Sequence, residues 1–214
     1  MISSSTSRAR WQTRLSLLLL VSGLAFGQEK KSLLVVGVTN AIKDEIWQDR
    51  RIGFGLTNVI AESFFDSGLF LLLEEKEEIR ESLRTIREKL WMLSEDAVQL
   101  QQAADTAIVA GAEVMAYGRV VSMKTPTTRV SMGPFHSRGK TTEIKVEVFL
   151  RDLKSNASYS ADGTGKAKTK ATSVIFEYRE DRAEVNFDKT TVGQATKEAV
   201  AAAVKKILKD YGGK

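Results

Sequence analysis

The 214-residue sequence has no cysteine, one histidine and two prolines. The missing cysteine excludes a disulfide framework, a thiolate nucleophile and a lipid anchor on an N-terminal cysteine. His136 stands between Pro134 and Arg138 in a polar stretch, with no second histidine and no local carboxylate pair, which argues against a metal site and against a Ser/His/Asp triad. With two prolines and no low-complexity tract there is little room for an interdomain linker. Long apolar runs are scarce as well. The one extended run, LSLLLLVSGLAFG, follows Arg8, Arg10 and Arg14. It holds about 13 residues, short of the ~20 a spanning helix needs.

That layout is read as a secretory signal over residues 1–27, with small residues placing cleavage between Gly27 and Gln28. Removal takes three of the 32 basic residues and none of the 27 acidic ones, so the remaining chain has a net charge of only +2. The basic balance of the whole sequence therefore does not argue for nucleic acid. Residues 28–214 are expected to form a single domain, long enough to bury a core.

The apolar spacing predicts the order β-α-β-α-α-β-β-β-α, an α/β (α+β) fold with a mixed sheet covered by helices. SLLVVGVTN (32–40) and LFLLLEE (69–75) read as buried strands around a helix in RIGFGLTNVIAESFFDSG (51–68), with AIKDEIWQDR as a polar loop before it. In KEEIRESLRTIREKLWML the residues Ile79, Leu83, Ile86 and Leu90 recur at heptad-like intervals. Such a seam lies on a sheet or contacts a neighbouring subunit. Ser94 is placed to cap the following helix, which Gly111 ends, and Thr190 or Thr191 to cap the last one. Strands are expected at 112–123, 142–153 and 159–176.

Two glycine-bearing stretches fall short of phosphate loops. GFGLTN (53–58) lacks the third glycine and any following GK[ST], and GTGKAKTK (163–170) opens no helix. Gly53 and Gly55 read instead as allowing a helix to pack close to the sheet. Asn156-Ala157-Ser158 matches a glycosylation sequon in what reads as a turn. No cofactor is expected, and the lack of a catalytic constellation favours a binding or assembly role over an enzyme.

GKAKTKATSVIFEYREDRAEVNF (165–187) reads as a hairpin of unusual composition. One face carries Lys166, Lys168 and Lys170. The other carries Gly165, Ala167, Thr169, Ala171, Ser173 and Ile175, joined on the return strand by Ala183, Val185 and Phe187. The small-residue set is a candidate face for a membrane barrel strand. The alternative is a soluble domain whose lysine-rich edge discourages strand pairing.

In order and spacing, LLVVGVTN, GLTNVIAESFFDSGLFLLLEE, AGAEVMAYGRVV, TEIKVEVFLRDLKSNAS and TTVGQATKEAVAAAVKKI together resemble the curli secretion-channel (CsgG-like) family, across roughly residues 32 to 208. The pattern is also similar to the TolB N-terminal-like fold and to lipoprotein activators of cell-wall synthases. The resemblance implies a periplasmic, outer-membrane-associated α/β domain that forms a homo-oligomeric ring and acts in export or assembly of surface polypeptides. It implies polypeptide cargo and envelope accessory partners, and no enzymatic activity. Hairpins at 120–148 and 163–188 stand where the family inserts barrel strands. The sequence departs from the family pattern in lacking the lipid-bearing cysteine. It also lacks the aromatic and asparagine constriction after the first strand, where Trp47 is the only aromatic. The competing reading is a soluble periplasmic binding or regulatory module that anchors or activates envelope proteins without forming a pore.

Overall fold

The computed structural model describes residues 30–73, 76–93, 97–125, 127–132, 135–169, 177–178, 185–187 and 190–212. β1 (Lys31–Asn40) leads through a short 3-10 turn (Glu45–Gln48) into α1 (Arg50–Asp66) and β2 (Phe70–Leu72). α2 (Glu77–Leu93) and α3 (Ala97–Val109) follow, then β3 (Val114–Lys124), β4 (Thr127–Met132), β5 (Phe135–Asp152) and β6 (Ser158–Thr169). Two short paired strands, β7 (Glu177–Tyr178) and β8 (Val185–Asn186), precede α4 (Thr191–Gly212). The predicted order and the mixed α/β class are both present.

The main sheet runs β2-β1-β3-β5, with β6 on the outer side of β5 and β4 beside its distal half. β1 pairs in parallel with β2 and β3, and β5 pairs antiparallel with β3, β4 and β6. Strict alternation would carry the residues of β1 to opposite faces in turn. A register shift between Val35 and Gly37 interrupts it. Leu33, Val35 and Val38 therefore join one core with α1 and α4, while Leu34 and Val36 join a second with α2 and α3. β1 is buried from Leu33 to Asn40, as expected of a strand covered on both faces.

The loop expected to be polar is partly core. Trp47 is fully buried, and its carbonyl accepts from Asn40 Nδ2 at 2.8 Å. Asp49 caps α1, its side chain accepting from the Arg51 N–H. Gly53 and Gly55 serve close approach, but to neighbours other than the expected sheet. A Cβ on Gly53 would lie 2.8 Å from the Trp91 ring of α2, and one on Gly55 2.6 Å from the Val185 carbonyl oxygen. Thr190 is the cap of α4, accepting from the Gly193 N–H at 2.9 Å. Ser94 lies outside the described residues.

The seam of α2 faces its own sheet. Leu83, Ile86 and Leu90 are buried against Leu34 and Val36 of β1 and the alanines of α3, with Ile79 half-buried beside them. Enclosed in this way, they are not an exposed subunit-contact surface.

A polar clamp holds the lower end of the sheet. Lys31 Nζ donates to Asp152 Oδ2 at 2.7 Å, joining the start of β1 to the end of β5. Asp152 Oδ1 also accepts from the N–H groups of Lys154 and Ser155, so the same carboxylate shapes the turn into β6. The hydrogen bond from Lys31 holds the Asp152 carboxyl well below the usual carboxylate range, and its own side of that bond raises the Lys31 ammonium. Beside it, Lys154 lowers the Glu113 carboxyl, which also accepts from the Ser32 N–H.

Because the Asp152 value is depressed in the folded state, its contribution is present above the unfolded value of about 3.9 and is lost as pH falls below it. Asp152→Asn is expected to lower stability at neutral pH by about 2 kcal/mol. It should also flatten the decline of stability below about pH 4. Urea titrations of both proteins from pH 3 to 7 check this; parallel pH profiles would remove the clamp as a source of acid sensitivity.

Candidate functional site

β3 and β4 together oppose β5 in one antiparallel ladder. The register passes Lys124↔Glu143 and resumes at Thr127↔Lys140 without a shift, ending at Met132↔Phe135. β1 stops at Asn40, opposite Val120. From Ser122 to Met132, and from Phe135 to Lys145, the two arms run on past it. Past the end of β1 each arm holds about eleven residues, of which Met123 and Ile144 still pack in the helix-covered core.

The two faces of this ladder exchange character along its length. Near the sheet, Val120, Ile144, Val146, Val148 and Leu150 are buried toward α1 and α4, and Met123 packs beside them. The intervening positions carry charge and stay partly exposed. Arg119 lies 3.9 Å from Glu147, Lys145 2.8 Å from Asp162, and Lys166 3.0 Å from Glu143. Such exposed pairs are worth little in stability, so they mark a wet face more than a cohesive one.

Beyond Thr142 the pattern inverts. The cross-strand pairs in step with Ile144 become Lys140↔Thr127, Arg138↔Arg129 and His136↔Ser131. Those in step with Glu143 become Gly139↔Thr128, Ser137↔Val130 and Phe135↔Met132. Two arginines directly opposite each other are unfavourable unless water or an anion separates them. The pairing thus puts cationic residues at the positions that are apolar nearer the sheet. Alternation along one strand relates His136, Arg138 and Lys140 but does not say which residues of the partner strand join them. Only the register shows that the cationic residues share alternate positions. Pro126 and Pro134 lie outside the described residues.

β6 lies along the other side of β5, and α4 presses on it. Gly163, Gly165 and Ala167 are buried beneath Ala195, Ala199 and Ala203. A Cβ added at Gly163 would collide with the Ala199 carbonyl, and one at Gly165 with the Ala195 carbonyl. The opposite side chains, Asp162, Thr164, Lys166 and Lys168, are exposed. α4 also attends to the free edge of the strand. The Glu198 carboxylate accepts from the Lys166 N–H at 2.8 Å, and Lys206 Nζ donates to the Asp162 carbonyl at 2.7 Å.

This arrangement corrects part of the membrane-face expectation. Ala167 touches α4, and Val185 and Phe187 are buried in the same core, close to Gly55 of α1. These three face the chain's own helices, and the missing side chain of Gly55 leaves room for the Val185 carbonyl and the Phe187 ring. For Thr169 the structure gives the backbone position, paired with Lys140. Ala171, Ser173, Ile175 and Ala183 lie outside the described residues, as do Lys170, Gly27 and Gln28. Among the described residues no helix is long and apolar enough to cross a membrane, and no group of three or more acidic, histidine or cysteine side chains is placed to hold a metal ion.

The model of the family described as curli production assembly/transport component CsgG matches residues 28–212. No curated protein matches the sequence. Among solved structures, a hypothetical protein from Chlamydia trachomatis is similar with a TM-score of 0.47 at 13% identity, over 86% of this chain and 96% of that one. A lipoprotein from Neisseria meningitidis is similar with a TM-score of 0.43 at 12% identity, over 66% and 86%. The PelC dodecamer from Paraburkholderia phytofirmans is similar with a TM-score of 0.41 at 11% identity, over 84% and 86%. These are loose likenesses of the chain trace and say nothing of function.

The β6–α4 contact yields a direct test. Gly165→Val is expected to destabilise the domain by about 3 kcal/mol, the upper part of the overpacking range, because the obstacle is helix backbone that cannot rotate away. Thr164→Val, on the exposed face of the same strand, is expected to change stability by less than about 0.5 kcal/mol. Urea denaturation midpoints of the two variants would separate a helix-covered face from a free one; equal midpoints would contradict the packing.

Proposed function

The chain belongs to the curli production assembly/transport family, and on that premise we propose that it is a non-enzymatic, ring-forming subunit of an export or assembly apparatus for surface polypeptides. In this reading residues 1–27 direct export and are removed, residues 28–214 work in the periplasm at the outer membrane, and no cofactor takes part. The observation that carries it is the polarity inversion of the β3–β4/β5 ladder. A strand pair that stayed in water against α4 would keep one apolar and one charged face throughout. Inversion suits arms that leave the domain for a barrel wall. There the Arg129, Arg138 and Lys140 positions would line an aqueous interior, and the Val130, Met132 and Phe135 positions would meet lipid. Neighbouring copies would complete the wall, since one hairpin leaves unpaired edges that cannot persist in a bilayer. The cargo would be a polypeptide, with envelope accessory proteins as further partners.

One observation favours the alternative, a soluble periplasmic binding or regulatory module. The foot of the second hairpin segment is spent on the domain's own core through Ala167, Val185 and Phe187, and β6 shows the exposed lysines of a guarded edge.

Export in a Gram-negative host followed by an alkaline carbonate wash of the outer membranes distinguishes the two. The protein is expected to stay with the membranes and to give ring particles in detergent by electron microscopy. Val130→Arg, which would cost about 2–4 kcal/mol if placed at mid-bilayer, is expected to abolish retention while leaving the soluble domain folded. Release of the wild-type protein as a monomer, or unchanged retention of the variant, would overturn the pore reading.

A further inference from the structure

The last turn of α1 is built against its own interest. Phe65 is 58% exposed, the one exposed phenylalanine among the described side chains. A single exposed apolar residue is ordinary. Here, however, it precedes Asp66, an exposed carboxylate at the negative end of a helix, where an acid is disfavoured and no basic residue of that turn offsets it.

On the other face of the sheet, away from α1 and α4, the rings of Tyr117 and Phe149 stack with 4.5 Å between centroids and 7° between planes. With Leu100, Met115, Arg151 and Asn156 they line a cavity of about 220 Å³. Pockets for small organic ligands begin at about 300 Å³, so this one better suits a single large side chain. Phe149 and Arg151 stand two apart on β5 and share its face. Arg151 donates one hydrogen bond to Asn156 Oδ1 at 2.9 Å, and a guanidinium has five donors.

We infer that Phe65 and Asp66 of one copy seat in this cavity on the next copy, the Phe65 ring against Tyr117 and Phe149 and the Asp66 carboxylate on Arg151. The inference rests on the homo-oligomeric reading above. The chemistry matches on both sides: an aromatic ring beside a carboxylate meets an aromatic ring beside a guanidinium. The two patches are also well separated. α1 ends where the chain enters β2, at one edge of the sheet, whereas the cavity lies on β3 and β5, on the α2–α3 side. A contact between two different patches of one chain is head-to-tail, and repeats until it closes as a ring or runs on as a filament. Buried aromatic and arginine anchors in well-packed pockets are the usual energetic centres of such interfaces.

The absence of cysteine makes cross-linking a clean test. The full chain carrying both Asp66→Cys and Arg151→Cys, exported, extracted in detergent and oxidised with copper phenanthroline, is expected to give a ladder of covalent species in steps of one subunit. Each single substitution should give no ladder, and a mixture of the two singles should give dimers. Asp66→Arg or Arg151→Asp alone is expected to lower the population of assembled particles by about tenfold or more, and the two together to restore it. Rings of normal size with no ladder would overturn this contact and leave the ring reading standing. A closed dimer as the sole product would put the contact on a two-fold axis and overturn the head-to-tail arrangement. A wild-type protein extracted only as monomer would overturn both.

Discussion

The contact on which the rest of the structure depends is the approach of α4 to the backbone of β6. Gly163 and Gly165 present no side chain, and Ala195 and Ala199 present a methyl group each, so helix and strand meet nearly backbone to backbone. That closeness places α4 low enough for Val200, Val204 and Ile207 to reach the apolar face of β5 and for Glu198 and Lys206 to reach the strand edge. An edge strand with unpaired N–H and C=O groups invites pairing with other chains. Here the covering helix supplies two of the missing partners, so the long strand is supported without being closed off.

Once α4 is seated, the β3–β4/β5 ladder has a fixed lower end and a free upper one. Its lower part follows the helices: apolar toward α4, charged away from it. Its upper part follows neither helix, and the pattern inverts there. The family match spans residues 28–212, whereas this inversion rests on a dozen paired residues of one hairpin.

The element order, the burial of β1, a cap at Thr190 or Thr191 and the amphipathic terminal helix were all legible in the sequence, because each rests on periodicity or on a local hydrogen bond within a few residues. The seam of α2 was legible as a seam, but its partner was not. Heptad-like spacing states that one side is apolar and does not say whether the chain's own sheet or another copy covers it. Trp47 illustrates the opposite failure. In a stretch as polar as AIKDEIWQDR its burial depends on Asn40, whose side chain accepts from the Ile42 N–H and donates to the Trp47 carbonyl. No local pattern announces that pair.

The small-residue face of β6 marks the boundary between the two kinds of information. Alternation alone determined that Gly163, Gly165 and Ala167 share one side of a strand and the lysines the other, since side chains of a strand point to opposite faces in turn. It could not determine what lies against that side. Small side chains suit lipid-facing strands, tight turns and helix contacts equally well, because what they offer is room. Only the tertiary structure decided that a helix fills the room, and only the register of β4 against β5 decided that the cationic residues of the long hairpin fall in step. The first depends on segments far apart in the chain, and sequence periodicity carries no information about which distant segment will meet which; the second depends on where the hairpin turns, which fixes its register.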